Sequence, residues 1–202
     1  MDLQAAASSA VNAVTHLPGE LQRFARLERI LGALLVLTPG LLILADTGPE
    51  QIRDSISAYH DIAVPAAFYV PLTVGAMLFL VNGVLRHAHA YNSLLGLALS
   101  GVILFDHDGG TAIPHFVFAA AFFGGNVLVM VFFSASKSVW VKGSLAGGIA
   151  AAIGLWVATD WFTLFWAEWV SLTIIAAHYI LDSVGWSDYR ALLPSEPPKL
   201  MP

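Results

Sequence analysis

Apolar residues lie along this chain in six long runs separated by short polar stretches, at residues 30–45, 62–85, 88–105, 113–133, 139–159 and 161–181. About 20 helical residues cross the roughly 30 Å hydrocarbon layer of a bilayer, so runs of this length predict transmembrane helices. Strands are not predicted, because the segments are long, unbroken and without the period-two alternation of a membrane barrel. The prolines sit where a membrane helix tolerates them. Pro39-Gly40 predicts a kink in the first span, Pro65 falls in the first turn of the second, Pro71 in its interior, and Pro114 opens the fourth. Asp160 alone separates spans five and six and is read as the N-cap of the sixth.

The polar remainder divides the chain. Residues 1–29 read as a cytoplasmic segment, 30–182 as a six-span domain and 183–202 as a cytoplasmic Pro-rich tail. From Glu20 onward Leu21, Phe24 and Leu27 recur every three residues beside Arg23, Arg26 and Arg29. This is the pattern of an amphipathic helix at the headgroup level, and equally of the first turns of span one. Residues 1–16 have neither the basic start nor the apolar core of a signal peptide.

Charge then orients the bundle. Arg23, Arg26, Arg29, Arg86, Lys137, Lys142, Arg190 and Lys199 fall on one side of the six-span arrangement, and only Arg53 on the other. Basic residues are retained on the cytoplasmic side, which predicts an all-α bundle of six transmembrane helices with both termini cytoplasmic, in a cell membrane such as the bacterial inner membrane. Trp140 and Trp186 would mark the inner interface, Trp156 and Trp161 the outer. A mean hydropathy of +0.74 and 11% charged residues agree with the membrane class. The net charge of -5 points away from nucleic acid. With no cysteine in the chain, disulfides, thiolate–zinc sites and iron–sulfur clusters are excluded.

Small residues at helical spacing mark faces where backbones approach: Gly143, Gly147 and Ala151 with Ala150 and Gly154 on span five, Gly96 and Ser100 on span three. These predict helix packing, within the bundle or against a homo-oligomer or membrane-protein partner.

Titratable groups gather in the three outer loops. Ser55, Ser57, His60 and Asp61 lead into span two, Asp106, His107 and Asp108 form the next turn, and His115 sits just inside span four. Imidazole and carboxylate are zinc ligands, and a zinc with an open position makes bound water a nucleophile. His60, His107 and His115 are therefore the candidate metal ligands, with Ser55, Ser57, Asp106 and Glu168 as candidate catalytic groups. A histidine beside a carboxylate can also act as a base without metal, and wet loops and helix caps need the same residue types with no chemistry at all. Glu168 reads as mid-span, where a carboxylate is costly without a partner, and Asn126 of span four is the natural one.

The stretch Ser55-Ile56-Ser57-Ala58-Tyr59-His60, the following span with Gly75 and Asn82-Gly83, and the later Pro114-His115-Phe116 and Ala121-Phe122-Phe123 resemble a bacterial family of uncharacterised multi-pass membrane proteins. That family is similar in pattern to the DRAM-like proteins and, more remotely, to the superfamily of alkaline ceramidases and progestin-receptor-like proteins (CREST). The resemblance implies a zinc-dependent hydrolase site for lipid amides, with Ser55 or Ser57, His60, Asp106 and His115 at the matching positions. The chain departs from that pattern in its Ser-to-His spacing, in carrying His178 and Asp182 where two late histidines are expected, and in lacking a seventh span. Two functions follow: a non-enzymatic bundle that binds a lipid or hydrophobic ligand or scaffolds a complex, and a metal-dependent intramembrane lipid hydrolase.

Overall fold

Long apolar segments with no alternation have one way to satisfy their backbone in lipid, which is helix. The computed structural model describes residues 18–48, 52–85, 89–133 and 138–183, and these are helical with no strand among them. Six helices follow in order: α1 Pro18–Ala45, α2 Ala66–Leu85, α3 Tyr91–Leu104, α4 Ala112–Leu128, α5 Val139–Ala158 and α6 Leu164–Ser183. Five segments, those of α1, α2, α4, α5 and α6, are long and apolar enough to cross a membrane, while α3 has 14 residues. At 1.5 Å per residue α3 is about 21 Å long, short of a full bilayer core without its flanking turns.

Several boundaries differ from the sequence expectation. The basic segment before residue 30 is no separate interfacial helix, since α1 runs unbroken from Pro18 and carries Pro39 inside it. Helix α2 starts after Pro65, later than the apolar run, because residues 62–65 form a turn. Helix α4 is preceded by a 3-10 turn at Gly109–Thr111 and continues as π-helix over Val129–Phe133. Asp160 does not cap α6. The chain from Thr159 to Thr163 is an open connection, and α6 begins only at Leu164. The termini, Arg86, His87, Lys137, Trp186, Arg190 and Lys199 lie outside the described residues.

The helices form a ring in which α1 meets α2 and α6, α2 meets α3, α3 meets α4, and α6 meets α5. The α4–α5 seam is the thinnest. Large side chains fill the middle: Phe79 of α2 stands edge-on to Phe122 of α4 and to Tyr179 of α6, at 5.6 and 5.2 Å between ring centres. The Trp169 indole N–H donates to the Val36 carbonyl at 3.2 Å and ties α6 to α1.

Toward one end of the ring four helices share a buried polar chain that the sequence reading missed. The Asn82 amide donates to Glu28 Oε1 at 3.0 Å. The Asn92 amide donates to Asn82 Oδ1 at 3.2 Å, and the Tyr179 hydroxyl donates to Asn92 Oδ1 at 2.7 Å. Polar side chains in apolar spans that satisfy one another act as glue between helices. His178 and Asp182 lie at the same end, 3.6 Å apart.

Small residues act where helices touch, but not all of them do so. A Cβ at Gly83 would overlap the Ser93 backbone nitrogen, and one at Gly96 would come within 2.8 Å of the Ala76 carbonyl. These two glycines therefore set the α2–α3 distance. On α5 the small-residue face is left uncovered within this chain. A Cβ at Gly143, Gly147 or Gly154 would meet nothing within 4 Å, and α5 packs inward through Ala146, Ile149 and Ala152 instead.

Candidate functional site

Residues 46–48 and 52–65, 105–111 and 159–163 belong to three loops that line a common space at the end of the ring away from the Asn82–Asn92 chain. The first is organised by Arg53. Its Nε donates to Asp46 Oδ2 at 2.6 Å, and Nη1 donates to the Ala58 carbonyl at 2.8 Å and to Asp61 Oδ1 at 2.7 Å. Its backbone N–H donates to the Tyr59 hydroxyl at 3.1 Å. The bond from Arg53, and after it that from the Gly48 N–H, hold the Asp46 carboxyl below the usual carboxylate range. Burial pushes the Tyr59 hydroxyl up. The lone basic residue of these loops, read from sequence as a minority charge, is thus the clasp of the longest one.

Inside the clasp lies the 3-10 turn Ser57–Tyr59. Ser55 Oγ accepts the Ala58 N–H at 3.1 Å, so this candidate catalytic serine serves as a turn cap. The Asp54 carbonyl accepts the Phe165 N–H at 2.7 Å, joining the loop to the start of α6.

Glu168 lies one turn into α6, not in the middle of a span, because that helix starts late. Its partner is the Ile56 backbone N–H, which donates to Oε2 at 2.6 Å. Asn126 is not that partner, since its amide donates to the Phe122 carbonyl within α4. A backbone amide has no residue-type signature, so no sequence pattern could have named it.

Of the three candidate histidines, His115 is the most completely fixed. It is 3% exposed. Its Nδ1 lies 2.7 Å from the Phe105 carbonyl and its Nε2 lies 3.1 Å from Ser57 Oγ. A carbonyl only accepts, so Nδ1 carries a proton; when the ring holds no second proton, Nε2 is the acceptor and the Ser57 hydroxyl donates to it. His60 Nδ1 donates to the Ser57 carbonyl at 3.1 Å, and its Nε2 lies 4.0 Å from Asp106, whose side chain is largely exposed. His107 stands between the other two, with ring centres 5.4 Å from His60 and 6.2 Å from His115. Its Nδ1 is buried with no hydrogen-bond partner among the described residues. The structure therefore brings Ser57, His60, Asp106, His107, His115 and Glu168 to one end.

Zinc does not fit these residues as they stand. Both ring nitrogens of His115 are engaged, and the ring centres of His60 and His115 stand 5.4 and 6.2 Å from that of His107. Among the described residues no group of three His, Asp or Glu side chains is arranged to hold a metal ion.

Two spaces adjoin the cluster. A vestibule of about 770 Å³ is lined by all three loops, including Arg53, Ser55, His107 and Asp160. A second cavity of about 320 Å³ lies between α4, α5 and α6, with Phe116, Ala120, Phe123, Gly124, Ile153 and Trp156 among its walls and with His115, Glu168 and Ser171 as its polar groups. Ser171 is 1% exposed, and its hydroxyl has no partner among the described residues. Sequence reasoning passed over Ser171, since a serine in a span carries no signal until a cavity is seen beside it.

No curated protein and no solved structure matches the chain. A family model matches residues 37–183, a stretch that contains every candidate residue above. The chain belongs to that family, a family of unknown function (DUF7103).

Proposed function

We propose that this chain is a six-span membrane protein, both ends cytoplasmic, that binds the polar head of a lipid or other single-chain amphiphile between α4, α5 and α6. One observation carries the reading: the 320 Å³ cavity is apolar over most of its wall and holds three buried polar groups, one of them without a partner among the described residues. Ligand sites have this make-up, with an apolar enclosure for affinity and a few polar groups for orientation. The thin α4–α5 seam gives a tail a lateral way out between helices, where Phe116 is half exposed. A buried hydroxyl without a partner costs free energy that a ligand's polar head would recover.

Gly124 supplies the test. It lines the cavity, and a Cβ placed there meets nothing within 4 Å. Gly124→Leu should therefore fill the space while leaving the helices in place. Saturable binding of a fluorescent long-chain alcohol to protein in nanodiscs is expected to weaken at least tenfold in this variant. Equal binding by the two proteins rejects the cavity as the site.

Sidedness is tested separately. The chain has no cysteine, so single cysteines at Gly110 and Lys137 can be labelled cleanly. An impermeant maleimide should reach Gly110→Cys in intact spheroplasts and Lys137→Cys only after permeabilisation. Labelling of both from one side defeats the arrangement.

A further inference from the structure

Beyond holding a ligand, Ser57 and His115 have the relation of a nucleophile to its base. Hydroxyl catalysis needs an acceptor nitrogen within hydrogen-bond reach of the hydroxyl and a third group that fixes the ring. Here Nε2 lies 3.1 Å from Ser57 Oγ, and the Phe105 carbonyl fixes both ring orientation and tautomer through Nδ1 at 2.7 Å. Ser57 itself is held from several sides: Ser55 caps its turn, Glu168 grips Ile56 before it, and His60 binds its carbonyl.

Spaces adjoin both members of the pair. His115 and Glu168 line the 320 Å³ cavity. Ser57 fronts a small void of about 30 Å³, which shares Ala119, Phe123 and Glu168 with that cavity. The vestibule in turn shares Trp156 and Leu164 with the cavity, which places a source of water beside it. Two side chains that merely satisfied each other in a core would need neither space.

We infer that Ser57 and His115 form a metal-independent acyl-transfer pair that cleaves a long-chain carboxylic ester seated in the cavity. The proposal rests on the cavity reading for delivery of the substrate. Ser57 Oγ attacks the ester carbonyl carbon and forms a C–O bond while its proton passes to His115 Nε2. The bond to the leaving alkoxide then breaks, and the proton on Nε2 moves to that oxygen, releasing an alcohol. Water repeats the sequence on the acyl-serine, giving a free carboxylic acid and restoring the serine. The Glu168 carboxyl group on the cavity wall suits an alcohol portion that carries a further hydroxyl, since either form of the acid can hydrogen-bond it.

The experiment uses full-length protein in phosphatidylcholine nanodiscs with a decyl fluorophosphonate probe, read by peptide mass spectrometry, beside the fluorescent-alcohol assay. An adduct on Ser57 is expected in the wild type, with its rate of formation reduced at least a hundredfold in His115→Gln. The wild-type readout needs no variant to fold. As a second variant, Ser57→Cys would be the sole thiol in the chain, and iodoacetamide should alkylate it faster with His115 present than with glutamine there. Saturable alcohol binding with no adduct on Ser57 overturns the pair and leaves the cavity reading standing. An adduct without saturable binding supports the pair and overturns the cavity reading. Absence of both overturns both.

Discussion

Replacing Gly83 with alanine is expected to destabilise the bundle by about 2 kcal/mol or more, and replacing it with leucine to leave little folded protein. The added Cβ would lie on the Ser93 backbone nitrogen and within 3.0 Å of the Asn92 carbonyl carbon. Overpacking typically costs about 1–3 kcal/mol when neighbouring side chains can shift. Here the obstacle is main chain inside α3, which cannot rotate aside, so relief requires α2 and α3 to separate. Separation would also stretch the Asn82–Asn92 hydrogen bond, because those residues adjoin Gly83 and Ser93 at the same crossing. The control is Gly147→Ala, whose Cβ meets nothing within 4 Å and whose better helix propensity should leave stability unchanged or slightly raised. Thermal unfolding in detergent, followed by size-exclusion chromatography, measures both. Equal melting temperatures for wild type and Gly83→Ala would mean that the α2–α3 contact is looser than described.

Gly96 and Gly147 show what the sequence could and could not reveal. Small residues every four positions announce that a helix face is smooth. They do not say which neighbour, if any, covers it. Gly96 is covered by α2 and Gly147 is not covered within this chain, although both arose from the same pattern. That the chain is all-helical, with several helices apolar enough to span a membrane, was legible because a bilayer admits one solution for a long apolar segment. The three loops lie at one end of the bundle, where Ser57 neighbours His115 and His107 neighbours both His60 and His115. Helix ends were less legible. Apolar runs continue into turns at 62–65 and 161–163, where Ile62 is buried and Phe162 partly buried although neither lies in a helix. That displacement of the start of α6 is why Glu168 reads as mid-span from sequence and lies near the loops in space. The groups that fix the site were the least legible, being main-chain atoms: the Ile56 N–H, the Phe105 carbonyl and the Ser57 carbonyl.

Replacing Asn92 with leucine is expected to be the most damaging single change at the end of the ring away from the cavity, although leucine has similar volume and is at home in a span. Asn92 is completely buried and is the link through which α2 and α6 reach each other by way of α3. Its loss takes the donor from Asn82 Oδ1 and the acceptor from the Tyr179 hydroxyl. In water-soluble cores each such group left wanting costs about 1–3 kcal/mol. Interhelical hydrogen bonds in membranes average only about 0.6 kcal/mol, because separated helices still find partners. The lower figure sets a floor near 1 kcal/mol for the two bonds together. Burial where four helices meet argues for roughly 2–3 kcal/mol. Tyr179→Phe separates the terms. It removes the hydroxyl and keeps the ring against Phe79, so it should cost about half as much, and the double variant should cost less than the two changes summed. Full additivity in a thermal-unfolding cycle would mean that the chain is a set of independent bonds rather than one connected lock. Neither variant touches His115, Glu168 or the cavity wall. Binding of the fluorescent alcohol below the melting temperature should therefore survive both, which distinguishes the end of the ring that holds the helices together from the end that holds the ligand.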